Sequence, residues 1–255
     1  MDLHIRFLTA LLAALGVAVV LPAAELTFQN RRAGYTGTQD VTLRGDPKEI
    51  ATLNYGGAAT LGVSGVPWGG WKQITLMRFD QIIGAASNQI PVGAQVVAAR
   101  LELHKLQDAP QDAGQFKAAG ADAVISVHPM LTDFVAGAGT GQNPEKAACF
   151  SYRSFSPELP TVWGNKNQIE NGPVAGVDYD GSQRVHSPLL PGKTDVWMSW
   201  DITQIVNDWV QKPASNHGLY LVTHAYWIGA EFDSSDTREP ANRPKLVVEF
   251  LLTAK

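Results

Sequence analysis

Short strand-like runs separated by turn residues fill almost the whole of this 255-residue chain. Each run is rich in β-branched and aromatic residues and is bounded by Gly, Pro, Asn or Asp, which is typical of antiparallel β-sandwiches. The runs are LTFQ (26–29), DVTLR (40–44), ATLGVSG (59–65), QITLMRFD (73–80), AQVVAARLELHKL (94–106), ADAVISVHPM (121–130), ACFSYRSF (148–155), DVWMSWD (195–201), GLYLVTH (218–224), WIGAEFD (227–233) and PKLVVEFLL (244–252). The sequence therefore predicts an all-β fold. The segment 134–195 has fewer such runs: it is largely loop-like and contains several aromatic and acidic residues.

The run QITLMRFD differs from the others because apolar residues point to both sides of the predicted strand. Thr75, Met77 and Phe79 alternate with Ile74 and Leu76. Successive side chains of a strand point to opposite faces, so this pattern predicts a strand between two packing layers.

One segment, residues 201–211, has a helical period instead of a strand period. Its apolar residues repeat at the spacing of one helical face: Ile202, Ile205, Val206, Trp209 and Val210. Asp201 is placed to cap the helix, and Gln204 three residues later completes a capping-box pattern. Lys212 and Pro213 end the helix.

The first 24 residues resemble a secretory signal peptide. Arg6 precedes an apolar run from Phe7 to Leu21, and small residues follow at the end of the segment. We predict cleavage after Ala24, which leaves residues 25–255 as a single mature domain, either secreted, at the cell surface or in a periplasm. The alternative is an N-terminal membrane anchor, although the run is short for a spanning helix. The sequence predicts no transmembrane segment in the mature chain.

Composition excludes some function classes. The net charge of −4, with 17% charged residues, argues against a nucleic-acid-binding protein, which would need a basic face. Cys149 is the one cysteine, so no internal disulfide can form. It stands in an apolar run, which favours a buried thiol over a nucleophile.

Several stretches in order resemble the DNRLRE domain, the disaggregatase-related repeat, a family similar to alginate-associated carbohydrate-binding modules. They are FQNRRAGYTGTQDVTLR (28–44), LMRFDQI (76–82), IPVGAQVVAARLEL (90–103), GVDYDG (176–181), WDITQIVNDWV (200–210), NHGLYLVT (216–223), FDSSD (232–236) and NRPKLVVEF (242–250). The resemblance implies an extracellular jelly-roll-like β-sandwich that binds glycans. It also implies that the helix lies across one open end of the sandwich, with Trp200 and Trp209 as packing residues.

Aromatic residues in glycine-rich or irregular stretches are the candidates for a glycan platform. The predicted platform is Trp68, Trp71, Trp163 and Tyr179, with Asn165 and Asn171 as hydroxyl partners. An accessible ring offers an apolar surface to the C–H face of a sugar. The alternative is that these rings cover the edges of the sandwich.

Two groups of oxygen donors are candidates for a structural calcium ion. Asp178 and Asp180 flank Tyr179 in DYDG, and Asp40, Asn54 and Asp80 lie at predicted strand ends. Calcium prefers such oxygen ligands. The alternative is that these side chains cap their own turns.

Catalytic motifs such as G-x-S-x-G and H-E-x-x-H are absent from the sequence. Glu231 and Asp233 are candidate glycosidase carboxylates, but such pairs face each other across a cleft. The sequence therefore predicts a non-catalytic, secreted module that binds a polysaccharide or cell-surface glycan or associates with the extracellular matrix. Two alternatives stay open: a self-assembling structural or adhesive subunit at the cell surface, and a polysaccharide hydrolase or lyase.

Overall fold

The computed structural model describes residues 5–7, 22–45, 50–65, 72–109, 123–143, 146–156, 158, 160–164, 172–224 and 228–252. The strands are β1 (Ile5–Phe7), β2 (Pro22–Gln29), β3 (Thr38–Arg44), β4 (Thr60–Gly65), β5 (Gln73–Phe79), β6 (Gln95–Ala109), β7 (Val124–Pro129), β8 (Tyr152–Ser154), β9 (Thr161–Val162), β10 (Val185–Pro188), β11 (Val196–Asp201), β12 (Leu219–Thr223), β13 (Ile228–Asp233) and β14 (Lys245–Leu251). The helix α1 spans Thr203–Gln211, and short 3-10 helices lie at Pro213–Ser215 and Pro240–Asn242.

Twelve of the fourteen strands pair antiparallel in one curled sheet that folds into two layers, and β8 and β9 form a separate two-stranded sheet. The first layer has the order β3–β5–β12–β7–β10. The second consists of β4, β13, β6, β14 and β2. β13 and β14 pair with successive parts of one edge of the long β6, β4 and β2 pair with β13 and β14, and β11 pairs with the other edge of β6. A single residue pair, Ser64 with Gln73, joins β4 to β5 at the corner between the layers. The prediction of an all-β sandwich with one helix is confirmed.

Two hydrophobic cores lie on opposite faces of the first sheet, and β5 contributes to both. Met77 and Phe79 point into the first core, between the sheets. Ile74 and Leu76 point outward into a second core. The prediction that β5 lies between two packing layers is therefore confirmed.

The second core is closed by a layer of irregular chain on the outer face of the first sheet. This loop layer consists of the described residues between 130 and 179, and it contributes Met130, Phe134, Ala136, Ala148, Phe150 and Trp163. The segment contains β8, which lies within the predicted run 148–155, and β9, which the sequence pattern did not reveal. The strand β10, after the loop layer, was not predicted either. Burial of these apolar side chains fixes the layer to the sheet without regular pairing.

The helix α1 covers the first core next to the start of β6. Its apolar residues are buried in that core, as is Trp200 on β11. The Asp201 carboxylate accepts hydrogen bonds from the Thr203 amide at 3.0 Å and from the Thr203 hydroxyl at 2.6 Å. The prediction that Asp201 caps the helix in a capping box is nevertheless wrong, because the N-cap residue is Ile202 and the Gln204 amide group donates to Asp208 one turn later. The packing roles predicted for Trp200 and Trp209 are confirmed.

The predicted processing point after Ala24 falls inside β2. Ala23 and Ala24 are buried and pair with Leu251 and Phe250 of β14. Most of the predicted signal peptide, residues 1–4 and 8–21, lies outside the described residues. In the parts that are described, no helix is long and apolar enough to cross a membrane.

Candidate functional site

The predicted glycan platform is not assembled by the described residues. Trp163 is fully buried in the second core, where its indole N–H donates to the Cys149 carbonyl at 2.9 Å. The prediction of an accessible Trp163 ring is therefore wrong. Tyr179 is half-buried and stacks on Tyr220, with 4.1 Å between ring centroids. Four platform residues, Trp68, Trp71, Asn165 and Asn171, lie outside the described residues.

The first pair of candidate calcium ligands is occupied by protein donors. The Asp178 carboxylate is buried and accepts from the Val174 amide at 2.9 Å. The Asp180 carboxylate accepts from both the amide and the hydroxyl of Ser182, and these bonds lower its pKa. Both carboxylates thus make the turn-capping bonds of the alternative interpretation.

The three residues of the second calcium set, Asp40, Asn54 and Asp80, each bond to different protein groups. Asn54 is buried and joins four backbone groups: it donates to the carbonyls of Ala136 and Ala148 and accepts from the amides of Gly56 and Gly139. Asp80 pairs with Arg78, at 2.7 Å between Oδ1 and Nε.

Asp40 is fully enclosed, and its Oδ2 accepts from the Ser235 amide. Burial raises the pKa of Asp40 to about 7. Across the described ranges, no three His, Cys, Asp or Glu side chains are grouped to hold a metal ion. The calcium ion stays a prediction that a melting curve in calcium and in chelator would test.

The candidate carboxylate pair does not share a partner. Glu231 accepts from Thr60 at 2.8 Å and from Gln107, whereas Asp233 accepts from Thr237 at 2.6 Å and contacts His104.

The Cys149 thiol is enclosed as predicted, and burial raises its pKa to about 11, which disfavours the thiolate nucleophile.

Trp197 is the aromatic residue that the structure leaves open to solvent. Among the described residues it is the only Trp, Tyr or Phe in the exposed class, at 38% accessible. It lies on β11 opposite His104 of β6, whereas its neighbour Met198 points into the first core. An exposed tryptophan is a frequent anchor of binding surfaces.

Charged side chains surround this indole on the outer face of the second sheet. We call this surface the Trp197 face; it consists of Trp197, Ser199, Arg100, Glu102, His104 and Lys245. The Lys245 ammonium lies 4.0 Å from the centre of the Trp197 ring, which is cation–π geometry. The surface therefore combines one large apolar ring with several charges.

Glu102 connects the cations of the Trp197 face. It pairs with Lys245 at 2.8 Å and with Arg100 at 2.5 Å. Partial burial acts to raise the pKa of Glu102, but hydrogen bonds from Lys245 and Arg100 and their charges outweigh it, and the pKa is lowered. Glu102 is therefore ionised at neutral pH and holds both cations in place.

His104 lies between two carboxylates at the border of the Trp197 face. Its Nδ1 is 2.8 Å from Oδ2 of Asp233, and its Nε2 is 3.1 Å from Oδ1 of Asp195. The ring also contacts Trp197, with 5.3 Å between centroids. The imidazole thus connects the indole to a buried carboxylate and to an exposed one.

Sequence reasoning missed the Trp197 face, although one signal was present. In DVWMSWD, the alternation of a strand places Trp197 on the face opposite to Met198 and Trp200. With Met198 and Trp200 in the core, Trp197 must point outward. Its partners on β6 and β14 are distant in sequence and follow only from the strand pairing.

The TGF-beta propeptide family matches residues 178–244, about a quarter of the chain. The match begins in the loop layer and runs through β10, β11, α1, β12 and β13. The resemblance to the DNRLRE domain is therefore wrong. Of the residue roles that it implied, only the packing of Trp200 and Trp209 is retained, because both side chains are buried. No curated protein matches the chain significantly.

Proposed function

We propose that the chain is an exported, non-catalytic β-sandwich subunit whose partner is a protein. It forms a dimer with a second copy of itself through the Trp197 face. The observation that carries this proposal is the exposed indole of Trp197 beside the charged side chains of Arg100, Glu102 and Lys245. Removing a tryptophan side chain from water contributes about 2–3 kcal/mol to the free energy of association, so such a ring favours an interface.

The charges of the Trp197 face suit a copy of the same face. Arg100 and Lys245 carry positive charge, and Glu102 and the neighbouring Asp195 and Asp201 carry negative charge. In a two-fold dimer the same patch meets itself, so a self-complementary face needs both signs. A face with charges of only one sign would repel the same face of a second copy.

The match to a propeptide family supports a protein partner over a polysaccharide, because a propeptide is part of a protein precursor. The apolar segment at the N-terminus supports export to a surface or extracellular compartment. Both arguments agree with the self-assembling subunit that the sequence left open.

Sedimentation velocity over a wide range of protein concentration tests this proposal. We expect concentration-dependent dimers for the wild-type protein and monomers for Trp197→Ala. Leu131→Ala is the matched control, because Leu131 is also an exposed apolar residue, at 44%, but follows β7 of the first sheet. Wild-type protein that stays monomeric, or Trp197→Ala that dimerises like the wild type, would exclude the Trp197 face as an interface.

A polysaccharide or cell-surface glycan is the second candidate partner, and the same exposed indole favours it. One sugar ring stacked on Trp197 would have the Lys245 ammonium and the Glu102 carboxylate nearby as hydrogen-bonding groups. Affinity electrophoresis in alginate, pectin, xylan and chitin gels distinguishes the candidates. Retardation of the wild type that Trp197→Ala abolishes would support the glycan.

A further inference from the structure

A small polar cavity lies at the corner between the two layers of the sandwich. We call it the corner cavity: Arg44 and Gln73 line it on the side of β3 and β5, and Thr60 and Glu231 line it on the side of β4 and β13. Its volume is about 120 Å³. These four side chains are half-buried, so the cavity can be reached from solvent.

One wall of the corner cavity depends on a glycine. Backbone pairing between β4 and β5 is limited here to Ser64 with Gln73. The amide of Gly62 donates instead to the Thr42 hydroxyl at 3.0 Å. The Gln73 side chain lies against Gly62, where an added Cβ atom would overlap its Oε1. Gly62 therefore allows the close approach that forms this wall.

Arg44 provides a positive charge that the protein leaves unpaired. It lies directly opposite Gln73 in the β3–β5 pair, so both side chains point to the same side of the sheet. Its guanidinium carbon lies 4.2 Å from the centre of the Tyr55 ring, and its Nε is buried without a hydrogen-bond partner. Among the described residues, no carboxylate forms an ion pair with Arg44. A buried donor of this kind is stabilised by an acceptor in the cavity.

Glu231 provides a negative charge that is also unpaired. One carboxylate oxygen accepts from the Thr60 hydroxyl at 2.8 Å, and the other accepts from the Gln107 amide group at 2.5 Å. These neutral donors hold the carboxylate in place but do not compensate its charge. Over the part of the chain that the structure describes, Glu231 has no cationic partner.

The two unpaired charges line the same cavity without forming an ion pair with each other. The other carboxylate of the lining, Asp108, is paired with the Lys105 ammonium at 2.6 Å and adds no free charge. A ligand that satisfies both sides must carry an anionic group for Arg44 and a cationic group for Glu231. A cavity of about 150 Å³ holds one benzene molecule, so the corner cavity admits a ligand of the size of glycine or β-alanine.

We propose that the corner cavity binds a small zwitterionic amino acid, with its carboxylate on Arg44 and its ammonium group on Glu231. A guanidinium binds a carboxylate through two parallel N–H donors. Stacking on Tyr55 and the bonds from Thr60 and Gln107 hold both charged groups in place before the ligand arrives, which lowers the entropy cost of binding. The cavity shares no residue with the Trp197 face, so this site does not depend on the proposed self-association.

Titration of the protein with four probes, followed by NMR at the Gly62 amide and the Arg44 Nε–H, tests the site. Glycine and β-alanine carry both charges, whereas acetate and methylammonium carry one each. At equal ionic strength we expect glycine or β-alanine to bind at least about tenfold more tightly than either single-charge probe, because each of these makes one of the two charge-assisted contacts. Acetate that binds as tightly as both amino acids would show a plain anion site and overturn the proposal. If no probe binds, the cavity holds only water and the proposal is also overturned.

Two charge variants separate the two ends of the cavity. Arg44→Gln should lower the affinity for the amino acid to that for methylammonium, and Glu231→Gln should lower it to that for acetate. Arg153→Gln is the matched control, because it removes the same charge from β8 in the loop layer and should leave binding unchanged. An equal loss in Arg153→Gln would show a non-specific charge effect and overturn the site.

Ala109→Leu tests the cavity itself without changing a charge. Ala109 also lines the cavity, so the larger side chain should fill it and abolish binding of all four probes. This variant keeps the test decisive if Glu231→Gln does not fold. Amino-acid affinity that is unchanged in Ala109→Leu or in Arg44→Gln would place the binding elsewhere on the protein and overturn the proposal.

Discussion

The outer face of the first sheet is covered by the loop layer, whereas the outer face of the second sheet, around Trp197, is open to solvent. Each face holds one prominent tryptophan. Trp163 comes from an irregular loop and is completely enclosed, and Trp197 comes from a regular strand and is exposed. The location of a tryptophan in a loop therefore does not make it a binding residue. What decides is whether another layer of chain packs over it.

The largest expected effect distinguishes the two tryptophans by stability. Trp163→Ala removes a buried indole from the second core and should lower the free energy of unfolding by about 3–5 kcal/mol. Trp197→Ala removes a side chain from an exposed position and should change it by less than about 1 kcal/mol. Urea denaturation of both variants measures the difference. Equal losses of unfolding free energy in the two variants would show that the Trp163 side chain in the second core stabilises the protein no more than Trp197 on the open face.

Asn54→Ala tests how the loop layer is attached to the rest of the chain. The substitution leaves buried carbonyls and amides of the layer without their partner and should cost about 2–3 kcal/mol. Gln142→Ala, at an exposed position paired with Asn54 by a backbone bridge, is the control and should be nearly neutral. Hydrogen exchange should show the loss of protection in residues 136–143 and 146–148 first. Uniform loss over both sheets would contradict a separately attached layer.

Asp40→Asn tests the cost of an enclosed carboxyl on β3. Unfolded Asp titrates near 3.9, whereas burial raises the pKa of Asp40 to about 7 in the folded protein. Between these values the folded state keeps a proton that the unfolded state loses, so the contribution to stability falls as pH rises. Asp40→Asn should therefore raise stability by on the order of 2 kcal/mol at pH 8 and change it little at pH 4. A variant that is equally or less stable at pH 8 would contradict this assignment.

Glu102→Gln is the opposite case on the open face and has the smallest expected effect. The lowered pKa of Glu102 means that its ion pairs contribute above the ordinary Glu pKa and are lost as pH falls through the lowered value. The variant should lose about 0.5–1 kcal/mol at pH 7, and the difference should vanish in acid. Thermal unfolding at pH 7 and at pH 3 measures both values. A difference that persists at pH 3 would mean that packing, not charge, is lost.

Local secondary structure could be predicted from the sequence alone. Alternation in QITLMRFD predicted a strand between two layers, and the apolar spacing of residues 202–210 predicted α1 and its buried face. These patterns depend on neighbours one to four residues apart, which a single sequence displays. Alternation in DVWMSWD also contained the outward direction of Trp197, once Met198 and Trp200 were known to be buried.

The exposed surfaces and the contacts between distant side chains could not be predicted, because they depend on how the strands pack in three dimensions. Trp163 is buried because a sheet far away in sequence lies beneath it, and the accessible Trp163 ring predicted from its loop position was wrong for that reason. His104 meets Asp233 across 129 residues, and Lys245 reaches Trp197 across β6. Such contacts follow from which distant strands pair in the folded sheet, and the local spacing of residues does not specify that choice of partners.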